Sequence, residues 1–372
     1  MEKKYCQCTA CIMDNVGEER IVFDENGVCN FCASAKRSFE KQRKEQFGKL
    51  DQLVAKIKKD CKDDKYDCLM GISGGIDSSY VLYLGHKLGL RILALHVDDG
   101  FDTEISKANL ERLVKASGCD YHVIKPDREQ FADLTKTYMK SGIANIAAVQ
   151  DNCLFTEIYR LARKHKIKYF LTGYNVATEC VSGGDSFSVY DTVFMRDIRK
   201  KFGCGPVNKL RYSGNWAMLR NWNSTQLKTV PILNYTDYNV QTAFQELQDF
   251  CGFAYYGRKH LENTLTAFVQ LRWYPEKHKI DKRKWHLSSM IVSGQKSREE
   301  ALRELSEPIG SPEELEKITR LTAQRLNMTV EELEALLQAP PHSYKEYKNS
   351  KLLQRYQALI RFLSKIKHTF IK

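Results

Sequence analysis

The chain has 372 residues, 28% charged and 42% hydrophobic, with a net charge of +12 at pH 7, enough to bury a substantial core in one large domain or two. Its mean hydropathy is −0.48, and no run approaches the roughly eighteen apolar residues that a helical membrane span needs, so a soluble protein is expected. The positive excess calls for an anionic partner, whether nucleic acid, a nucleotide-linked substrate or an acidic subunit, and charge alone does not choose among them.

At the N-terminus Cys8-x2-Cys11 is followed after seventeen residues by Cys29-x2-Cys32. Two such pairs suit a tetrahedral four-thiolate zinc site. Between them Ile21-Val22-Phe23 reads as a strand entering the turn Asp24-Glu25-Asn26-Gly27, which returns the second pair to the first. Disulfides are the alternative. The start, Met-Glu-Lys-Lys, has no apolar h-region behind it, so a reducing, cytoplasmic setting and a zinc module over residues 1–35 are expected. Cys6 lacks the matching spacer, and Cys61, Cys68, Cys119, Cys153, Cys180, Cys204 and Cys251 are scattered, as small buried apolar residues would be.

Residues 36–60 are dense in Lys, Glu and Gln, with Phe39, Phe47, Leu50, Leu53, Val54 and Ile57 near helical spacing, and predict a connecting helix in a linker over 36–65. An alternation then begins: strand to about 72, helix 78–88, strand 91–97, helix 104–117, strand 121–124, helices near 129–140 and 152–165, and strand 169–171. That order predicts an α/β domain over 66–235, a parallel sheet with helices on both faces.

Where the first strand meets the first helix the sequence is Ser73-Gly74-Gly75-Ile76-Asp77-Ser78-Ser79. Paired glycines bring backbone N–H groups close to an anion, and the new helix adds the positive end of its dipole. Ser73, Ser78 and Ser79 add hydroxyl donors, and Asp77 beside a polyanion points to a bridging cation such as Mg²⁺. No Gly-Lys-Ser/Thr follows, which sets a Walker loop aside. The segment resembles the PP-loop, Ser-Gly-Gly-x-Asp-Ser, of the ATP pyrophosphatases, and implies their adenine nucleotide alpha hydrolase-like fold and AMP-forming use of ATP. In such folds ligands lie beyond the carboxyl ends of the strands, which assigns Asp98, Gly173 and Asn175 to the nucleotide side, although Asp98-Asp99-Gly100 and Gly173-Tyr174-Asn175 are also ordinary turns.

The stretch from about 180 to 230, rich in Gly, Ser, Asn and aromatics and carrying Arg196, Arg199, Lys200, Lys201, Lys209, Arg211 and Arg220, reads as an insertion or lid over the site or as a solvated basic face. Residues 236–372 form a mainly helical region, with helix starts at Ser311-Pro312 and Thr329-x-Glu331-Glu332 and a stop at Ala339-Pro340-Pro341. A basic amphipathic stretch, 352–372, suits packing on the core, docking of a partner or a membrane surface.

Taken jointly, the cysteine pairs with Phe23-Asp24-Glu25-Asn26-Gly27-Val28-Cys29, the PP-loop, Lys259-His260-x-Glu262, and Ile280-Asp281-Lys282-Arg283 leading to His286-Leu287-Ser288 resemble the N-acetyl sugar amidotransferases of bacterial surface-polysaccharide (lipopolysaccharide O-antigen) and flagellin-glycan biosynthesis. The resemblance covers residues 6 to about 303, with departures at Tyr174, Ala267 and Lys277-His278-Lys279. It implies conversion of an N-acetyl group on a nucleotide-linked sugar to an acetamidino group, with ATP, Mg²⁺ and Zn²⁺. Ammonia would come from separate subunits resembling the glutaminase and cyclase halves of imidazole glycerol phosphate synthase. Ser73 and Asp77 would stabilise pyrophosphate, Lys259, Lys282 and Arg283 would neutralise its remaining charge, and His260 or His286 would move a proton.

Two other readings stay open on sequence. A PP-loop tRNA-modifying enzyme, thiolating or lysine-ligating, would adenylate a nucleobase carbonyl, yet no core cysteine pair or RNA-binding appendage is evident. A non-catalytic zinc protein holding nucleic acid on its basic surface leaves the intact loop unexplained.

Overall fold

The computed structural model describes residues 4–182, 189–224, 227–356 and 358–359. Five parallel strands, β1 (Cys68–Gly71), β2 (Ile92–Val97), β3 (Asp120–Ile124), β4 (Tyr169–Leu171) and β5 (Lys228–Val230), form one sheet in the order β3-β2-β1-β4-β5. Met70 pairs with Ala94 on one side and Leu171 on the other. Side chains alternate across the pleat. Cys68, Met70, Ile92, Ala94, Tyr169, Leu171 and Val230 face helices α2 (Leu50–Asp60), α3 (Ile76–Lys87), α4 (Glu104–Ser117) and α10 (Val240–Cys251). Leu69, Leu93, Leu95 and Phe170 face Ile158, Leu161 and Ala162 of α6 (Ala148–Lys164). Both faces are therefore covered, as a parallel sheet requires.

The chain winds outward from β1 through β2 to β3, then crosses back to place β4 on the other side of β1. The loops leaving β1 and β4 part there, and a crevice opens at the strands' carboxyl ends.

Several elements differ from the sequence reading. The single linker helix is two: α1 (Asn30–Gln46), which already starts inside the cysteine module with Cys29 as its N-cap, and α2, separated by a turn at Gly48. Helix α3 starts at Ile76 rather than 78, and α6 at Ala148 rather than 152. The described residues of the stretch 180–230 form α8 (Thr192–Phe202) and α9 (Asn215–Ser224), and Lys228–Val230 pairs with β4 at the sheet edge. Short strands next to polar residues carry little periodicity, which is why β5 was read as loop. Its basic residues are engaged at the surface, Lys201 with Asp197, Lys209 with Asp127 and Arg211 with Glu157. The turn signal Gly183-Gly184-Asp185 lies outside the described residues.

The C-terminal helices are not a separate body. α11 (Thr264–Phe268) runs into a π-helix (Val269–Lys277), followed by α12 (Lys282–Val292), α13 (Arg298–Ser306), α14 (Pro312–Arg325) and α15 (Val330–Gln338). Phe268, Trp273, Leu326 and Leu333 from this region share one core with Phe131, Leu134 and Tyr138 of α5 (Arg128–Lys140) and Phe194 and Ile198 of α8. The expected caps are present: Ser311 accepts from the Glu314 amide, and Thr329 with Glu332 makes a reciprocal box that starts α15, which ends at Gln338. In the last stretch Leu353 is buried with Met218 and Leu219, while Ile360, Phe362, Leu363 and Ile366 lie outside the described residues. Among the described residues no helix is long and apolar enough to cross a membrane.

Candidate active site and metal centre

The apolar strand β1 ends at Gly71, and the chain turns through Ser73-Gly74-Gly75 into α3. Gly74 adopts φ +80°, and a Cβ there would lie 2.5 Å from Ser106 Oγ and 2.9 Å from the Ser106 carbonyl. At Gly75 a Cβ would lie 2.8 Å from Glu262 Oε1. Only glycine fits at position 74, while a Cβ at position 75 would push the Glu262 carboxyl aside. The turn is fixed from outside: Ser106 Oγ donates to the Ser73 carbonyl at 2.9 Å, and the Ile76 N–H donates to Tyr256 Oη at 2.9 Å. Ser73 N–H and Gly75 N–H donate to Ser78 Oγ (3.2 Å) and Ser73 Oγ (3.3 Å). Ser79, one residue further into α3, is buried with its hydroxyl unpartnered. A helix N-terminus opening on a glycine turn with hydroxyls around it is an anion cradle.

Asp77, in the first turn of α3, is the partner of Lys259, whose Nζ lies 2.9 Å from Asp77 Oδ2, 2.7 Å from Glu179 Oε1 and 2.8 Å from Thr178 Oγ1. Burial opposes the ammonium charge, but Asp77 and Glu179 more than offset it and hold Lys259 above the usual lysine range. The other oxygen of Asp77 accepts from Tyr238 Oη and, at 3.4 Å, from Asn175 Nδ2. Thr178 and Glu179 belong to α7 (Val176–Glu179), capped by the Asn175 side chain.

Next to Lys259, His260 has a left-handed backbone, φ +66°, which costs a non-glycine residue on the order of 1 kcal/mol. Its ring centroid is 5.5 Å from that of His286. Burial, then Lys259 and His286, hold His260 well below the ordinary histidine range, and burial followed by Lys259 pushes His286 down to about 4. Both rings are neutral at pH 7.

The loop after β2 forms the opposite wall. His96 stands between the Ile72 carbonyl (Nδ1, 2.9 Å) and Asp102 (Nε2, 2.8 Å). Burial disfavours the imidazolium, yet Asp102 and the carbonyl raise its pKa overall. Asp99 behind it accepts from Gln150, Asn263 and the Phe101 N–H, and burial with Asp102 lifts it to about 7. Backbone bonds Thr103 N to Glu262 O (3.1 Å) and Thr264 N to Phe101 O (2.6 Å) stitch this loop to the 262–264 segment. Glu262 then reaches the glycine turn, where Ser73 Oγ donates to its Oε1 at 3.2 Å, and burial pushes its carboxyl up to about 7.

These groups line a cleft of about 470 Å³ with Leu154, Phe155, Phe170 and Tyr174 as its apolar wall, a size suited to a small-molecule ligand. Of the expected residues, Ser73, Gly75, Asp77, Ser78, Gly173, Lys259 and His260 line it. Gly74 and Asn175 support it from behind, and His286 backs His260. Asp98 does not line it, and faces Lys125 and Arg128 at 3.9 Å each. Lys282 lies 3.8 Å over the Trp285 ring, lowered to about 8 by burial. Arg283 is engaged by Asp281 and by the carbonyls of Glu304 and Glu307. Neither of these two cations lines the cleft. Sequence reasoning passed over His96, Asp102, Tyr238, Tyr256 and Asp151, and quoted Glu179 and Glu262 without a role. The one available signal was His96, a titratable side chain inside an otherwise apolar strand.

The four cysteines close on one point, with their Sγ atoms within 4.8 Å of one another and all four residues buried. Cys8 to Cys32 and Cys11 to Cys29 are each 3.6 Å, near the roughly 3.8 Å edge of a tetrahedron with Zn–S of about 2.3 Å. Amides of Cys11, Cys29 and Cys32 donate to these sulfurs, as thiolate ligands require. The set suits zinc. The module docks on α12 and the start of α13: the Ile12 N–H donates to Ser288 Oγ, Lys284 Nζ lies 2.6 Å from Asp14, and Arg298 of α13 donates to the Cys8 and Cys11 carbonyls. Helix α12 in turn holds α7, with Ser289 Oγ accepting from Val181 N–H and Ser293 Oγ donating to the Ala177 carbonyl.

Two outcomes follow from this arrangement. Lys259→Met strands Asp77 and Glu179 and is expected to cost on the order of 3 kcal/mol in urea unfolding, so a loss below about 1 kcal/mol would mean the node is not a buried ion cluster. Cys29→Ser is expected to abolish zinc in metal analysis and lower Tm, and full zinc retention would contradict the ligand set.

Comparison with known proteins adds a family match. No curated protein matches the chain. Among solved structures, NMN synthetase from Francisella tularensis is 22% identical over 34% of this chain and 54% of its own length, with a TM-score of 0.28. The NH3-dependent NAD synthetase from Campylobacter jejuni subsp. jejuni NCTC 11168 is 12% identical over 82% of this chain and 98% of its own, with a TM-score of 0.32. Both superpositions are loose, and the fold stands on its own sheet order. Residues 262–361 match the family described as LPS biosynthesis protein WbpG-like, C-terminal domain. The matched stretch starts at Glu262 on the cleft and continues through the C-terminal helices.

Proposed function

We propose that the chain is an ATP-dependent, AMP-forming amidotransferase that converts an N-acetyl group of a nucleotide-activated sugar to an acetamidino group with ammonia. The observation that carries this reading is the junction of β1 and α3, a glycine turn at a helix N-terminus whose Cβ positions are filled by Ser106 and Glu262, set at the mouth of the cleft. The WbpG-like match supports a setting in LPS biosynthesis.

An amide is a poor electrophile with a poor leaving group. In the proposed reaction the amide oxygen attacks the α-phosphorus of ATP, a P–O bond to the amide forms, and the bond to pyrophosphate breaks. Ammonia then adds to the imidate carbon, the C–O bond breaks, AMP departs, and a proton leaves the nitrogen. The turn's N–H groups and the Ser73 hydroxyl receive phosphate oxygens. Lys259, held beside the turn by Asp77, offers positive charge to the departing pyrophosphate. His260, neutral and at the cleft wall, is placed to take the proton. The apolar wall of Leu154, Phe155 and Phe170 keeps water from the reactive carbon. Lys282 and Arg283 serve by fixing α12 and its flanks rather than by touching phosphate. Magnesium, when bound, supplies counter-charge to the polyphosphate, and zinc would staple the N-terminal module. Ammonia would come from separate glutaminase and cyclase-like subunits in the cytoplasm.

The test is incubation with ATP, Mg²⁺, ammonium and a panel of UDP- and CMP-linked N-acetyl sugars. The expected result is release of AMP and pyrophosphate with one oxygen of the sugar replaced by NH in the mass spectrum. Release of ADP would contradict the chemistry. A Ser73→Ala, Asp77→Ala variant should lose at least about 100-fold in rate, and full activity in that variant would misplace the site.

A further inference from the structure

The anion cradle has a carboxyl group in it. Glu262 is 7% exposed, its Oε1 accepts from Ser73 Oγ at 3.2 Å, and its Oε2 is buried with no hydrogen-bond partner among the described residues. Its placement is fixed, since its carbonyl accepts from both Thr103 N–H (3.1 Å) and Thr103 Oγ1 (3.2 Å) and the left-handed turn at His260 sets its approach. The carboxyl occupies the space that a Cβ at position 75 would take. An unpartnered buried carboxylate oxygen needs a donor or a cation.

The lining of the cleft sharpens the choice. It carries the carboxyl groups of Asp77, Asp102, Asp151, Glu179 and Glu262 against the ammonium of Lys259 and the imidazoles of His96 and His260. A polyphosphate entering alone meets excess negative charge, so it must bring a cation. Asp77, the ligand expected from sequence, has one oxygen on Lys259 and the other on Tyr238 and Asn175.

We propose that Glu262, with the Ser73 hydroxyl beside it, is the protein ligand of a divalent cation that enters with the polyphosphate, so that the cation site is completed across the glycine turn and not at Asp77. This rests on the reading of that turn as a phosphate site. Mg²⁺ characteristically takes one or two carboxylates and fills its shell with phosphate oxygens and water. A single rigid carboxylate with a free oxygen, next to a hydroxyl and an anion cradle, meets that description.

The test uses Mn²⁺ as a spin probe with inorganic pyrophosphate, counting bound metal by electron paramagnetic resonance, on zinc-replete full-length protein. The wild type should take up one Mn²⁺ per chain when pyrophosphate is present and much less when it is absent. Glu262→Gln keeps the shape and the Ser73 contact, and should weaken Mn²⁺ at least about tenfold with Tm and zinc content unchanged. Glu262→Asp, which keeps the charge, should recover part of the affinity. Wild-type Mn²⁺ affinity in Glu262→Gln overturns the proposal, as does a loss seen in Asp77→Asn but not in Glu262→Gln. If the wild type binds neither pyrophosphate nor ATP by calorimetry, the phosphate-site reading itself fails and takes this inference with it.

Discussion

Everything at the cleft depends on one half-buried ammonium. Lys259 joins three pieces of chain that are far apart in sequence: the first turn of α3 through Asp77, α7 through Thr178 and Glu179, and its own segment before α11. A buried lysine without partners would shed its proton, and two buried carboxylates without a lysine would repel each other. All three donors of the ammonium are used, so the groups hold one geometry together and lose it together.

The N-terminal cysteine cluster lies at the far end of the same line of support. The module holds α12 through Ser288 and Lys284 and the start of α13 through Arg298, and α12 with its C-cap holds α7 through Ser289 and Ser293. Helix α7 is only four residues long and could not keep its shape alone. Its Glu179 faces Lys259 because α12, braced by the cysteine module, stands behind it. The cysteines therefore bear on the site by position.

Much of this was legible in the sequence because local rules were strong there. The glycine pair between an apolar strand and a helical pattern, the matched Cys-x2-Cys spacers, and the Ser311 and Thr329 caps each carry a short-range physical signal, and each lies where that signal put it. What stayed hidden depends on tertiary partners. Lys228–Val230 is a strand only because β4 offers it an edge. The break at Gly48 splits a continuous charge pattern that one helix would satisfy equally well. Arg283 reads as a phosphate contact because its motif is basic, and in the fold it pairs with Asp281, two residues away, outside the cleft lining. The His96–Asp102 pair and Glu262 have meaning only when loops distant in sequence are stitched side by side.

The shared core of the C-terminal helices bears on how such a chain can be inherited. Trp273 and Phe268 pack on Tyr138 and Phe194, and Glu262 meets Ser73 across a separation of 189 positions. The WbpG-like stretch is thus no interchangeable module: a recombination event that swapped it onto a foreign sheet-bearing half would bring an ill-fitting hydrophobic surface and leave the glycine turn facing the wrong neighbour. Descent should keep the two halves together, changing by small matched steps on either side of the seam.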